Sequence, residues 1–419
     1  MNIWLVQRAE PLPIDEGQQR LLRTGLLAES LVQRGHDVLW WTSTFNHSLK
    51  TCRSHKDALI HVCDHYRIWM MHGGGYKKNR SVSRFVDQRI LARKFKVSAN
   101  KEARPDIIIC SLPSVELCLA CVAYGRRMNV PVVLDMRDMW PDIFVDVFPR
   151  PLQGLVRFGL GPLFWEAQKA CSMATAICGI TDAFVDWGLA RGQRKKTDFD
   201  KSFPMGYKAA PPQEFFLQEA QKYWDAWGVQ EEPKELVVCF SGAVNWQFDL
   251  ETAILAVRKA LSKGVSVKFI ICGSGDRLDY FKKLAEGEPN IIFTGFIDVA
   301  KLYVLMRRSA LGLDPLPDRY DYLASINNKA IEYFSAGLPV ISCPKSGVLF
   351  ELLKRHNCGL SYTHGNVDEL AGLLLQLNRE RGEINQMADK AKRLFEERFS
   401  AEKVYQEMSR YIEEIARTW

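Results

Sequence analysis

The chain has 419 residues, 47% hydrophobic and 25% charged, with a formal net charge of +7. That length is too great for one ordinary core, so two or more domains are expected, and the composition is that of a soluble globular protein. No apolar run reaches the length of a membrane span and the chain opens on the strand-like NIWLV, so neither a transmembrane helix nor a secretory signal is expected, which points to the cytoplasm.

In chain order, NIWLVQ, DVLWWTS, DIIICSL, PVVLDM and ATAICGI read as short apolar strands ending in polar residues. Amphipathic stretches lie between them, such as QQRLLRTGLLAESLVQRG, which stops at Gly35 as a helix does. Pro204, Pro211, Pro212 and Pro233 then interrupt the alternation. It restarts with ELVVCFSG, VSVKFIICGSG, NIIFTGFI, ALGLDPL, PVISC and GLSY. Continuous apolar strands alternating with helices predict parallel sheets covered on both faces. The expected organisation is a first α/β domain over 1–205, a linker over 206–234 and a second α/β domain over 235–399. A last amphipathic helix over 400–419 is placed to pack back on the first domain.

The 11 cysteines are mostly set in apolar segments, as reduced buried thiols are. Cys118 and Cys121 form one CxxC on a helical pattern, read as helix core. Residues 1–200 carry 28 Lys/Arg against 20 Asp/Glu, and much of the excess lies between Arg67 and Arg104. Arg80 and Arg84 of that stretch are candidates for contact with a phosphate-bearing substrate or an anionic membrane surface. A solvated helix face is the alternative, and no nucleic-acid motif accompanies the charge.

In doubly wound sheets ligands sit beyond the carboxyl ends of the strands. DMRDMWPD emerges there after PVVL, so Asp138 is a candidate to orient or deprotonate a hydroxyl and Arg137 to bind phosphate or a carboxylate. A structural Arg–Asp pair over Trp140 is the alternative. In LDPLPDRYDYLASINNKAIEYFSAGLPVIS, Ser325 or Ile326 is the expected helix start, with Ser325 as cap and the helix amides open to an anion. Lys329 and Glu332 share one face, the lysine toward phosphate and the carboxylate toward hydroxyls. An exposed ion pair worth ~0.2–0.5 kcal/mol is the alternative. GSGDRL lacks the third glycine of the dinucleotide fingerprint, which argues against a dehydrogenase. Asp198-Phe199-Asp200 reads as a surface loop, and HGGGYKKNRS as either a mobile substrate-binding loop or a turn.

Glu332 followed by YFSAGLPVIS resembles the nucleotide-sugar motif of family 4 glycosyltransferases. EGQQRLLRTGLLAESLVQRGHDVLWWTS, RPDIIICSLPS, VPVVLDMRDMWPD and IICGSGDRLDYFKKLAEGEPNIIFTGFID resemble further segments of that family in order. The Asp-x-Arg-Asp-x-Trp-Pro element resembles its bacterial surface-polysaccharide branch (O-antigen, capsule, exopolysaccharide). The resemblance implies a GT-B fold, two Rossmann-like domains facing across a cleft, and a retaining transferase of class EC 2.4 that forms no covalent intermediate. It implies that Glu332 binds the donor ribose and that the amides of Ser325, Ile326 and Asn327 hold its diphosphate. Gly242 would let the backbone approach phosphates or sugar, Gly273 and Gly275 would line the base and ribose pocket, and Phe296 or Ile297 would touch the base. Gly17 would face the sugar from the first domain. The family's second glutamate is Ala324 here, and Ala243 and Phe248 replace its basic pair, so Lys329 and Arg319 are expected to meet the diphosphate.

The expected partners are a nucleotide-diphosphate sugar, expected to be UDP-linked, and a glycan or polyprenyl-diphosphate-linked acceptor, with peripheral contact to the cytoplasmic face of an anionic inner membrane. No nucleic acid, cofactor or metal is expected. The rival readings are a nucleotide-sugar epimerase of the same fold and a catalytically silent nucleotide- or membrane-binding partner protein.

Overall fold

The computed structural model describes residues 1–16, 20–78, 81–146, 148–231 and 234–419. The chain divides into two compact units, Met1–Pro204 with Ala401–Trp419, and Met205–Ser400.

The first unit contains, in chain order, β1 (Asn2–Val6), β2 (Asp37–Ser43), β3 (Phe45–Asn46), β4 (Thr51–Cys52) and β5 (Ala58–Cys63). It continues with β6 (Tyr66–Met71), β7 (Ile107–Ser111), β8 (Val132–Met136), β9 (Ala176–Gly179) and β10 (Lys201–Ser202). Eight of these form one sheet in the order β10-β9-β8-β7-β1-β2-β6-β5, and β3-β4 is a separate hairpin. All its pairs are parallel except β5 with β6. Strand order therefore reverses at β1, which has β2 on one side and β7 on the other.

Residue alternation explains the layers. Ile3 and Leu5 enter a core with Leu27, Leu31 and the last helix, Ala401–Thr418. Trp4, between them, turns to the other face and meets Trp41 at 5.1 Å and Tyr124 at 5.3 Å between ring centroids. The last helix is fastened by Val404, Met408 and Ile412 and by Glu413, which accepts from His36 at 2.8 Å and from Arg34. The hydrogen bonds from Arg34, working against burial, draw the Glu413 carboxyl down to about 2.

The second unit has β11 (Leu236–Ser241), β12 (Val267–Cys272), β13 (Ile291–Gly295), β14 (Leu311–Pro315), β15 (Val340–Cys343) and β16 (Gly359–Ser361). Their order is β13-β12-β11-β14-β15-β16, parallel throughout, with the reversal between β11 and β14. Leu236, Val238 and Phe240 pack into one core and Val237 and Cys239 into the other, so both faces are covered. The stretch read as a linker differs from that expectation. It contains the helix Glu214–Ala226, whose Ala220 and Trp224 are buried in the second unit's core. Trp224 also donates to Lys301 O at 2.8 Å. An apolar face, rather than proline count, decides where that segment belongs.

Candidate functional site

In each sheet the crevice lies where strand order reverses, because neighbouring crossovers depart in opposite directions there. In the second unit it lies beyond the carboxyl ends of β11 and β14. Gly242 follows β11, and its amide donates to Cys272 O at 2.9 Å. A Cβ on Gly242 would stand 2.4 Å from Lys329 Cε and 2.8 Å from its Nζ. Gly273, after β12, has φ +140, and a Cβ there would overlap Gly242 O at 1.8 Å. A Cβ on Gly275 would lie 2.2 Å from Val244 O. The two turns thus stack directly on each other, leaving backbone in place of side chains at the crevice.

Opposite them, the helix Asn328–Ser335 begins. Its cap is Asn327, not Ser325: Asn327 Oδ1 accepts from Ala330 N at 3.1 Å while its Nδ2 donates to Asp314. Ser325 is turned back, its amide and hydroxyl both donating to Tyr322 O at 3.2 Å. The amide of Ser325 is thereby used, and the open helix amides are those of Asn328 and Lys329, which precede the capped one. Ile326 is partly buried against the unit's core. The helix is drawn close by Gly312, where a Cβ would meet the Tyr333 ring at 2.4 Å.

Lys329 lies beneath the Gly242 turn, its ammonium 3.9 Å from the Phe248 ring centroid and 5.5 Å from that of Phe240. Burial depresses its pKa, against the pull of Asp314 and Glu332. Asp314 is fully buried at the end of β14, and burial pushes its carboxyl up despite Lys329 and Asn327. Glu332 is half-buried one turn further along. Arg319 departs from expectation, since its guanidinium forks onto Asp321 and stacks 4.1 Å from the Tyr322 centroid, so its charge is already matched. Phe296 is 86% exposed, and Ile297 packs partly into the core. Ala324 is buried.

Two residues missed from sequence complete this rim. Arg277 lies with its guanidinium 3.4 Å from the Trp246 centroid, joining the loops that follow β12 and β11. A Trp in a glycine turn and an Arg after GSGD were visible, but only the pairing of β11 with β12 brings them together.

In the first unit, Asp135 closes β8 and is fully buried. Arg23 grips it at 2.9 and 3.1 Å, and Arg137 Nε donates to it at 2.6 Å. Arg137 also donates to Glu10, which in turn accepts from Thr24 N at 2.9 Å. Burial favours the neutral acid, yet Arg137 and Arg23 hold Asp135 far below the usual carboxylate range. Burial opposes the charge of Arg137, but Asp135 and Glu10 raise its pKa. Arg137 is therefore a brace for the loop rather than a group facing substrate. Asp138 follows it, partly buried, and its charge acts on Arg84. Arg84 stands 5.2 Å from the Trp140 centroid. Gly17 and Arg80 lie outside the described residues. Asp200 of the DxD is an internal clasp, accepting from Ile177 N and Thr197 N, each at 2.7 Å. Cys118 and Cys121 are buried free thiols.

Residues 235–380 match the family model described as Glycosyl transferases group 1. No curated protein sequence matches the chain. Among solved structures, the chain is similar to sucrose-phosphate synthase from Thermosynechococcus elongatus, at 15% identity and TM-score 0.72, covering 100% of both chains. It is similar to HepE from Anabaena in complex with UDP, at 15% identity and TM-score 0.65, covering 99% of this chain and 100% of that one. WaaG, a glycosyltransferase involved in lipopolysaccharide biosynthesis, is similar at 14% identity and TM-score 0.63, covering 98% of this chain and 99% of that one. The two Rossmann-like sheets make a GT-B fold, the second unit carries a group 1 glycosyl transferase domain, and the chain is a glycosyltransferase.

Proposed function

We propose that the protein moves a sugar from a UDP-linked donor to a hydroxyl of a glycan or lipid-linked acceptor, with retention, in the synthesis of a bacterial surface polysaccharide. The observation that carries this reading is the crevice beyond β11 and β14. There the Gly242 turn lies on the Lys329 ammonium, with the open amides of Asn328 and Lys329 alongside and Glu332 one turn on. A diphosphate suits the cation and the amides, and a ribose diol suits the carboxylate. The UDP held by HepE and the lipopolysaccharide role of WaaG are consistent with it.

In this reading the bond from the anomeric carbon to the diphosphate oxygen breaks as the acceptor oxygen bonds on the same face. The acceptor proton passes to the departing diphosphate. Lys329 and the helix amides stabilise the charge that develops on that leaving group. Asp138 orients the acceptor hydroxyl, and Arg137 holds the loop that carries it. A donor screen following nucleoside-diphosphate release, with and without lipid-linked acceptor, tests the reading. Acceptor-dependent release supports transfer, donor interconversion without acceptor supports an epimerase, and binding without turnover supports a silent partner. Glu332→Ala should weaken UDP about tenfold; unchanged affinity and turnover would refute the donor site.

The acceptor side is proposed to work at an anionic membrane surface. The helix Arg150–Gly159 buries none of its residues, with Leu155 71% and Phe158 85% exposed and Arg150 and Arg157 on the same helix. Apolar residues at helical spacing beside arginines fit the headgroup boundary of an acidic bilayer. Phe158→Ser should leave the melting temperature in place and reduce flotation with phosphatidylglycerol vesicles severalfold. Equal flotation of both proteins would remove this part of the proposal.

A further inference from the structure

The first unit has its own reversal of strand order, at β1 between β2 and β7. Arg8 follows β1 and donates to Ser114 Oγ at 2.7 Å, which joins the exits of β1 and β7. Arg8 is 4% exposed, and its other arm donates to the hydroxyl of Tyr76, itself 5% exposed, at 3.2 Å. That hydroxyl stands 2.6 Å from His47 Nδ1, which has Lys50 Nζ 3.3 Å away. The ring of Tyr76 has three cations around it: Lys50 at 5.0 Å, Arg8 at 5.7 Å and Arg84 at 5.9 Å from its centroid. These side chains come from the β1 exit, the β3–β4 hairpin loop and the helix Val82–Ser98, so tertiary structure alone gathers them.

We propose that this crevice binds a phosphate group carried by the acceptor, held by His47, Lys50 and Arg84 over a floor of Arg8 and Tyr76. The inference rests on the transfer reading above, whose second substrate it describes. Like charges gathered at a ligand crevice repel one another, and a dianion offsets that repulsion. Burial first, and mutual repulsion after it, disfavour the charged forms of these groups. Burial, then Lys50, Arg8 and Arg84, take His47 down to about 4. Burial followed by Arg84 and Arg8 depresses Lys50, and burial followed by Arg8 depresses Arg84. Among the described residues, the carboxylates acting on the group include Asp87 beside Arg8 and, through Arg84, Asp138 and Glu116. Asp87 is 4.0 Å from Arg8, and burial pushes both Asp87 and Glu116 upward, which weakens them as counterions. A single carboxylate ligand would meet one of these cations, whereas a phosphate monoester or diphosphate presents several oxygens to all of them.

The test is calorimetry of the full chain with glycerol phosphate, in saturating UDP so that the donor crevice is filled. Binding is expected, and the Lys50→Gln/Arg84→Gln double variant should weaken it at least tenfold while Lys50→Arg retains it. Thermal melting of each variant checks the fold. Equal affinity in wild type and double variant, or no binding by the wild type of either the soluble probe or the phosphatidic acid vesicles of the second arm, overturns the proposal. Phosphatidic acid in phosphatidylcholine vesicles forms the second arm. Variant-sensitive vesicle binding assigns the phosphate to a lipid, and variant-sensitive binding of the soluble probe alone assigns it to a free phosphate ester. Should UDP itself fail to bind, the donor reading falls, while variant-sensitive phosphate binding would still uphold this site.

Discussion

The two strand-reversal crevices are built from opposite materials. In the second unit the crevice is made of backbone: Gly242 and Gly273 stack with no room for a Cβ, and one partly buried lysine supplies the charge. In the first unit it is made of side chains, with Arg8, His47, Lys50 and Arg84 around Tyr76, next to a buried network of Arg23, Asp135, Arg137 and Glu10. Backbone recognition suits a ligand part shared by a whole family, because amides and glycine turns depend little on sequence. Side-chain recognition can be altered one residue at a time, which suits the substrate that differs between relatives.

Substitutions can break this contrast. The largest effect is expected for Asp135→Asn, which removes the carboxylate held by two buried arginines. It should lower stability by about 3–5 kcal/mol, read by urea unfolding, because the guanidinium groups lose their counterion. A loss below about 1 kcal/mol would mean that the network relaxes and that the first crevice is not built on fixed charge. Next is Lys329→Met. Asp314, already pushed toward its neutral form by burial, tolerates the lost cation, so the melting temperature should move little. Turnover should fall about a hundredfold, the usual scale for removing a group that stabilises developing charge. A melting temperature that drops while residual turnover stays normal would make Lys329 structural and reverse the contrast.

The order of strands and helices and the glycine turns of the second unit were legible because they depend on periodicity and on local backbone demands. The helix start was legible only to within two residues. Ser325 and Asn327 are both good caps by chemistry, and the choice falls to Asn327 because Asp314, from another strand, holds its amide group. Arg137 and Arg319 looked available for ligands because sequence shows neighbours and not partners. The first is claimed by Glu10, far away in the chain, and the second by Asp321, two positions on. Arg8 and His47 carried no local signal at all. Each acquires meaning only from the side chains that other strand exits bring beside it.

The last helix has a consequence for how the protein is made. Val404, Tyr405, Met408 and Ile412 belong to the core shared by Ile3 and Leu5, and the whole of the second unit lies between them in the chain. On a ribosome the first unit to begin is thus the last to be sealed. Until residues past 400 emerge, its sheet waits with part of one apolar face uncovered, while the second unit already has every strand of its own sheet.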